Sequence, residues 1–270
     1  MGIKVAAIAP DIGDYNLEGK GLEYDPYLEG FISGAGGYLS NFDLEKNNKN
    51  SLVIRGLGGG SQKALKYCIE NKLDYYAIDT GYIQPSTKKE YHRITKNALQ
   101  NLGPIVERDF DRLRKLNWSY RNPRVGEKIL VCPPSEKVMK FYGEDLDTWM
   151  KTTLDTIKTL TNKPIEVRLK PSRTDRVTTN TIWQALDNAY CLITYNSIAA
   201  TEALLYSVPA ITLAPNAASV LCNTSLNDIN KLEIPTKKEI LEFAAHLSYC
   251  QFTQKEMANG YAWKILNEGS

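Results

Sequence analysis

The chain of 270 residues carries 33 Lys and Arg against 31 Asp and Glu, a formal net charge of +2, and is 43% hydrophobic and 10% aromatic. At this length roughly 70–75% of the unfolded surface can be buried, so a core needs neither disulfides nor a structural metal. No apolar run approaches the ~20 residues a helix needs to cross a bilayer, and the spread of apolar and aromatic residues excludes a disordered chain.

The predicted elements begin with a strand at Lys4–Ala9 in the opening MGIKVAAIAPDIGDY, which reads as a first strand and not as a signal peptide. The stretch Glu29–Tyr38, EGFISGAGGY, reads as a glycine-rich loop. A strand is expected at Leu52–Arg55 and a helix at Ser61–Lys72, with Ser61 as its cap after Gly58-Gly59-Gly60. That glycine run lacks the GK[ST] ending of a P-loop and the full dinucleotide fingerprint. The next strand is Tyr75–Asp79; the basic and aromatic stretch KKEYHR at 88–93 follows as a loop.

Further strands are expected at Lys128–Cys132, Ile165–Leu169, Cys191–Tyr195 and Ala210–Ala214, and helices at Lys151–Thr161, Asn196–Tyr206 and Lys237–Tyr249. Strands alternating with helices specify an α/β protein. The polar stretch Trp118–Glu127, with Pro123 and Gly126, is the expected boundary. It gives two Rossmann-like halves, 1–122 and 123–270, expected to face each other across a cleft.

The five cysteines, Cys68, Cys132, Cys191, Cys222 and Cys250, are odd in number and form no CxxC pair. They read as free, mostly buried thiols of a cytoplasmic protein. His92 and His246, the two histidines, are far apart in sequence, which argues against a histidine-based zinc site. No metal and no cofactor is expected.

Four segments carry candidate chemistry. In Cys191–Leu213, a buried strand runs into Tyr195-Asn196-Ser197 and a helix bearing Glu202. Side-chain oxygens and unpaired amides at such a turn suit a phosphate, and Glu202 suits a ribose diol, although capping residues and a solvated glutamate have the same spacing. In Glu166–Arg176, one strand delivers Arg168, Lys170, Ser172 and Arg173 to its carboxyl end, where ligands of open α/β sheets bind. These residues form either a diphosphate clamp or one wet sheet face. Ser135, in VCPPSEK, is a donor contact or a helix cap. Asp79, at the end of its strand, is a candidate general base for an alcohol, or caps the turn holding Gly81. Arg55, Tyr82, Lys89, Tyr91, His92 and Arg93 are the candidate acceptor contacts, and Lys88 belongs to the same stretch. A basic stretch interleaved with aromatics suits a phosphate backbone with stacked bases, or a solvated loop.

The segments ILVCPPSEK, VRLKPSR and ITYNSIAATEALLYSVPAI, in that order, resemble the donor-binding half of a GT-B-fold glycosyltransferase. IDTGYIQ, KKEYHRITKNALQ and LSYCQFTQKEMANGYAW resemble small glycosyltransferase-like proteins of tailed bacteriophages, with a looser similarity to capsule-type sugar transferases. Lys170-Pro171-Ser172 departs from the His-Pro pair of the capsule enzymes. The resemblance implies a nucleotide-sugar donor of the UDP type. Lys170, Ser172, Arg173, Asn196 and Ser197 would hold its diphosphate, Glu202 its ribose, and Asp79 would be the base. The implied acceptor is a hydroxymethylated pyrimidine in phage DNA, in the host cytoplasm. The alternatives are a glycan or small hydroxyl acceptor, or a protein that binds nucleotide-sugar or DNA without turnover.

Overall fold

The computed structural model describes residues 5–8, 25–40, 51–57, 59–85, 89–170 and 181–268. Along the chain run β1 (Val5–Ile8), α1 (Pro26–Gly34), β2 (Tyr38–Ser40), β3 (Ser51–Arg55), α2 (Gly59–Glu70), β4 (Tyr75–Thr80) and β5 (His92–Lys96). There follow α3 (Asp111–Lys115), β6 (Lys128–Val131), α4 (Glu136–Tyr142), α5 (Leu146–Leu160), β7 (Ile165–Val167), α6 (Ile182–Leu186), β8 (Ala189–Thr194), α7 (Ala199–Leu205) and β9 (Ala210–Thr212). The last elements are α8 (Lys237–Ser248), β10 (Gln251–Phe252), α9 (Gln254–Ala258) and α10 (Tyr261–Leu266). None of the described helices is long and apolar enough to cross a membrane.

The chain divides into two compact units, one of Met1–Asn101 with Leu247–Ser270, the other of Leu102–His246. The expected division into 1–122 and 123–270 differs at both ends, for physical reasons. The polar stretch 118–127 is anchored within the second unit: the Arg121 carbonyl accepts from Ser207 Oγ, and Arg121 lies 4.3 Å over the Tyr206 ring. Gly126 packs so closely that a Cβ there would stand 2.2 Å from the Ala189 carbonyl. The carboxyl-terminal elements return to the first unit, where β10 pairs antiparallel with β5.

In the first unit the strand order is β10-β5-β4-β3-β1-β2, with β1 to β4 parallel and β5 antiparallel to β4. Leu52, Val53 and Ile54 of β3 are fully buried, as expected of an interior parallel strand. The expected loop over Glu29–Tyr38 is mostly helix. Asp25 caps α1 by accepting from the Tyr27 and Leu28 amides, and Pro26 follows in the first turn, where its missing N–H costs nothing. Leu28, Phe31 and Ile32 then share one buried face that packs on Met257 and Ala262. A Cβ on Gly34 would lie 2.0 Å from the Met257 carbonyl oxygen, so this helix crossing requires glycine. The Tyr76 hydroxyl donates to Asn267 Oδ1 at 3.0 Å, fastening the tail to the sheet.

In the second unit four parallel strands stand in the order β7-β6-β8-β9, over a core of Ile129, Val131, Ile157, Cys191, Ile193, Ile211 and Ile229. Helix α5 starts earlier than the expected Lys151 because Asp145 accepts from the Thr148 amide at 2.8 Å. Strand β7 stops at Val167 instead of Leu169, although the Arg168 amide still donates to the Val131 carbonyl. Both sheets share one winding. The first strand lies inside, the second on one side, and the third and fourth on the other. In such sheets ligands collect at the carboxyl ends, where successive connections leave in opposite directions. That point is between β1 and β3 in the first unit and between β6 and β8 in the second.

Candidate functional site

At the carboxyl edge of the second sheet, β6 and β8 end side by side. Thr194 Oγ1 donates to the Cys132 carbonyl and accepts from the Ser197 amide, drawing the two strand ends together. Ser197 Oγ accepts from the Ala199 amide, and Asn216 Nδ2 donates to the Ser197 carbonyl at 2.9 Å. Asn196 and Ser197 are therefore a stitched turn ahead of α7, not its first residues as the expected Asn196–Tyr206 helix had them. Glu202 lies in the first turn of α7. Burial pushes the Cys132 thiol up to about 12, and the nearby charges of Arg168, Glu202 and Glu166 act on it more weakly.

Ser135 holds the N-cap position of α4, where its carbonyl accepts from the Val138 and Met139 amides, but its side chain makes no capping hydrogen bond. Lys170 is exposed, whereas Ser172 and Arg173 lie outside the described residues. An aromatic group that the sequence pattern does not announce borders the same edge. Tyr142 and Tyr195 meet edge to face at 5.7 Å, Trp149 and Tyr195 at 6.1 Å. Burial raises the Tyr142 phenol, against a hydrogen bond from Asn196. The spacing of Tyr142 and Trp149 on α4 and α5 holds no signal for this meeting, because Tyr195 arrives from β8.

At the carboxyl edge of the first sheet the charges are paired. Arg93 Nη2 binds Asp79 Oδ2 at 2.9 Å, while its other nitrogens donate to the carbonyls of Thr80 and Leu99. Asp79 Oδ1 accepts from the Thr80 amide at 2.7 Å, and the side chain remains 50% exposed. Both oxygens are thus engaged. Tyr82 is buried beneath Arg93, accepts from the Asn101 amide, and is pushed by burial to about 12. His92 and Arg93 are buried in β5, so the stretch 88–93 is not the expected exposed run of basic and aromatic groups. The reason is cross-strand pairing: Arg93 stands opposite Asp79, and His92 opposite Thr80. Lys88 lies outside the described residues.

Of the expected acceptor contacts, Arg55, Lys89 and Tyr91 keep solvent exposure, and Tyr82, His92 and Arg93 are internal. The backbone of Tyr91 is held by Gln84. Arg55 joins two residues absent from the expected site, Asp25 at 2.7 Å and Tyr27, whose ring its guanidinium overlies at 5.2 Å. The Asp25-Pro26 pair is the available signal, since it announces a helix start at the site. Gln251, likewise unexpected, donates to the Ile83 carbonyl and accepts from its amide, holding the 81–84 turn with the carboxyl-terminal segment.

No protein-family model matches the chain, and no curated protein matches it. Two solved structures of KpsC from Thermosulfurimonas dismutans are similar to it. One, a beta Kdo 2,4 transferase, is 13% identical with a TM-score of 0.52, over 91% of this chain and 90% of that one. The other, a beta Kdo 2,7 transferase, is 12% identical with a TM-score of 0.50, over 99% of this chain and 100% of that one. At such identity the likeness establishes the fold, while function has to be argued from the site. It agrees with the looser, capsule-type side of the sequence resemblance.

Proposed function

We propose that the chain is a GT-B-type glycosyltransferase whose second unit binds a nucleotide-sugar and whose first unit binds the acceptor. The observation that carries the reading is the second sheet's carboxyl edge. There Ser135 follows β6, Asn196 and Ser197 follow β8, Arg168 follows β7 and Glu202 lies in α7, with the rings of Tyr142, Trp149 and Tyr195 meeting nearby, in a fold shared with two Kdo transferases. Arg168 and Lys170 would face the phosphate of the donor, whose leaving charge grows as the sugar departs. The hydroxyls and amides of the 195–197 turn would hold its oxygens, and Glu202 the ribose. In the reaction the bond from the anomeric carbon to the phosphate oxygen breaks, and the electron pair leaves with the nucleotide. A bond from the acceptor oxygen to the same carbon forms, and Asp79 takes the acceptor proton.

The burial of His92 and Arg93 removes the main support for a DNA acceptor, and the names of the structural neighbours favour an acidic glycan. A transfer panel tests this. UDP-sugars and nucleotide-activated Kdo are each offered with a Kdo-terminated oligosaccharide, plain DNA and hydroxymethylated DNA. Transfer from nucleotide-activated Kdo to the oligosaccharide is expected, and lost in Asp79→Asn with donor binding intact. Label entering only hydroxymethylated DNA would restore the DNA reading. Neither transfer nor donor hydrolysis would leave a binding protein.

A further inference from the structure

The first unit holds a second arrangement that the donor site does not use. Arg55 ends β3 at the switch point of that sheet, and Asp25 occupies only its Nε edge. Neither terminal nitrogen of the guanidinium makes a hydrogen bond among the described residues, and the side chain keeps 23% of its exposure. A guanidinium fixed at one edge and open at the other presents a planar fork of two N–H groups, which matches the two oxygens of a carboxylate or phosphate. Tyr27 supports the fork from below, and its own ring meets that of His92 at a tilt of 42° with centroids 3.7 Å apart. His92 is 4% exposed, and its Nδ1 is buried without a hydrogen-bond partner among the described residues. A buried polar atom left unsatisfied is rare in native structures. The Tyr27 hydroxyl also donates to the Lys89 carbonyl at 3.2 Å, so Lys89 stands beside the same ring.

We propose that Arg55, seated on Tyr27 and assisted by Lys89, forms a subsite for the carboxylate of an acidic sugar on the acceptor. The proposal rests on the transferase reading only for the role of that sugar; the binding itself does not depend on turnover. A nucleic-acid backbone would need cations repeated at phosphate spacing. Here Arg93 is committed to Asp79, and one fork with one lysine suits a single anionic group.

With only two histidines in the chain, imidazole NMR of the full-length protein gives a direct test. Kdo, inorganic phosphate and glucose are titrated in turn at constant ionic strength, the signals being assigned with His92→Gln. Kdo should shift the His92 resonances saturably and leave His246 unmoved, phosphate should bind more weakly, and glucose should do nothing. Arg55→Met should weaken Kdo binding about tenfold to a hundredfold, as loss of a charged hydrogen-bond pair implies. Lys63→Met, on exposed α2 surface, should not change it. If Arg55→Met does not fold, the wild-type titration still decides. No His92 shift, equal shifts of both histidines, or phosphate binding as tight as Kdo would each overturn the proposal. Transfer activity is not read in this experiment, so its failure stays distinct from failure of the transferase reading.

Discussion

The two sheets share one winding, yet their carboxyl edges differ in what the polar groups do. In the first unit Arg93 is buried and bound to Asp79, Thr80 and Leu99, so a cation serves the fold. In the second unit Arg168 stands partly exposed just beyond β7, while backbone and hydroxyl stitching by Thr194 and Asn216 shapes the turn after β8. The comparison teaches that an arginine at a strand end is not by itself a ligand contact.

The largest effect that would break this comparison is removal of residues 247–270. Without Phe252, Met257 and Ala262, all fully buried, the first unit should lose its fold, while the second keeps its own core. Hydrogen exchange should then show β3 and β4 unprotected and β6 and β8 still protected. Protection retained in both would contradict the division.

Next in size is the pH dependence. Burial, with Arg55, lowers the His92 pKa from its ordinary value to about 4, against Asp25 and Asp79. Burial, with Arg108, does the same to His246, to about 4, against the Val106 amide hydrogen bond. A depressed histidine gives full stability above the unfolded pKa near 6.5 and loses it as pH falls toward 4, because the unfolded chain takes up the proton first. The loss should be on the order of 3 kcal/mol per histidine. Urea midpoints from pH 7 to 4 check it, and His92→Gln should flatten the first unit's share. A flat profile would contradict the burial of both rings.

Arg93→Met should cost about 2 kcal/mol, since it leaves two carbonyls without donors while the half-exposed Asp79 regains water. Arg168→Met should change stability by no more than about 0.5 kcal/mol. Thermal melts of the two variants side by side measure the contrast between the two arginines. Equal losses would erase it.

Much of the scaffold was legible in the sequence because interior parallel strands read as apolar runs; Leu52–Ile54 and Cys191–Ile193 are where their composition put them. The Asn196-Ser197 turn was legible too, since a polar pair directly after a buried strand marks where the chain leaves the sheet. Strand β5 was hidden because His92 and Arg93 look solvated until Asp79, fourteen residues earlier, is placed opposite. Helix α1 was hidden behind Gly34, Gly36 and Gly37, which suggested a loop although Gly34 serves the close crossing with Met257. The return of the tail to the first unit depends on contacts such as Tyr76 with Asn267, across a sequence separation of 191 residues, and local patterning carries no trace of it.

The most direct test of the division of labour is calorimetric titration of the full chain with nucleotide-activated Kdo, for the wild type, Arg168→Met and Arg55→Met. Donor affinity should fall about tenfold in Arg168→Met, the loss of one charged contact, and remain unchanged in Arg55→Met. Unchanged affinity in Arg168→Met, or a loss confined to Arg55→Met, would contradict the placement of the donor at the second sheet's edge.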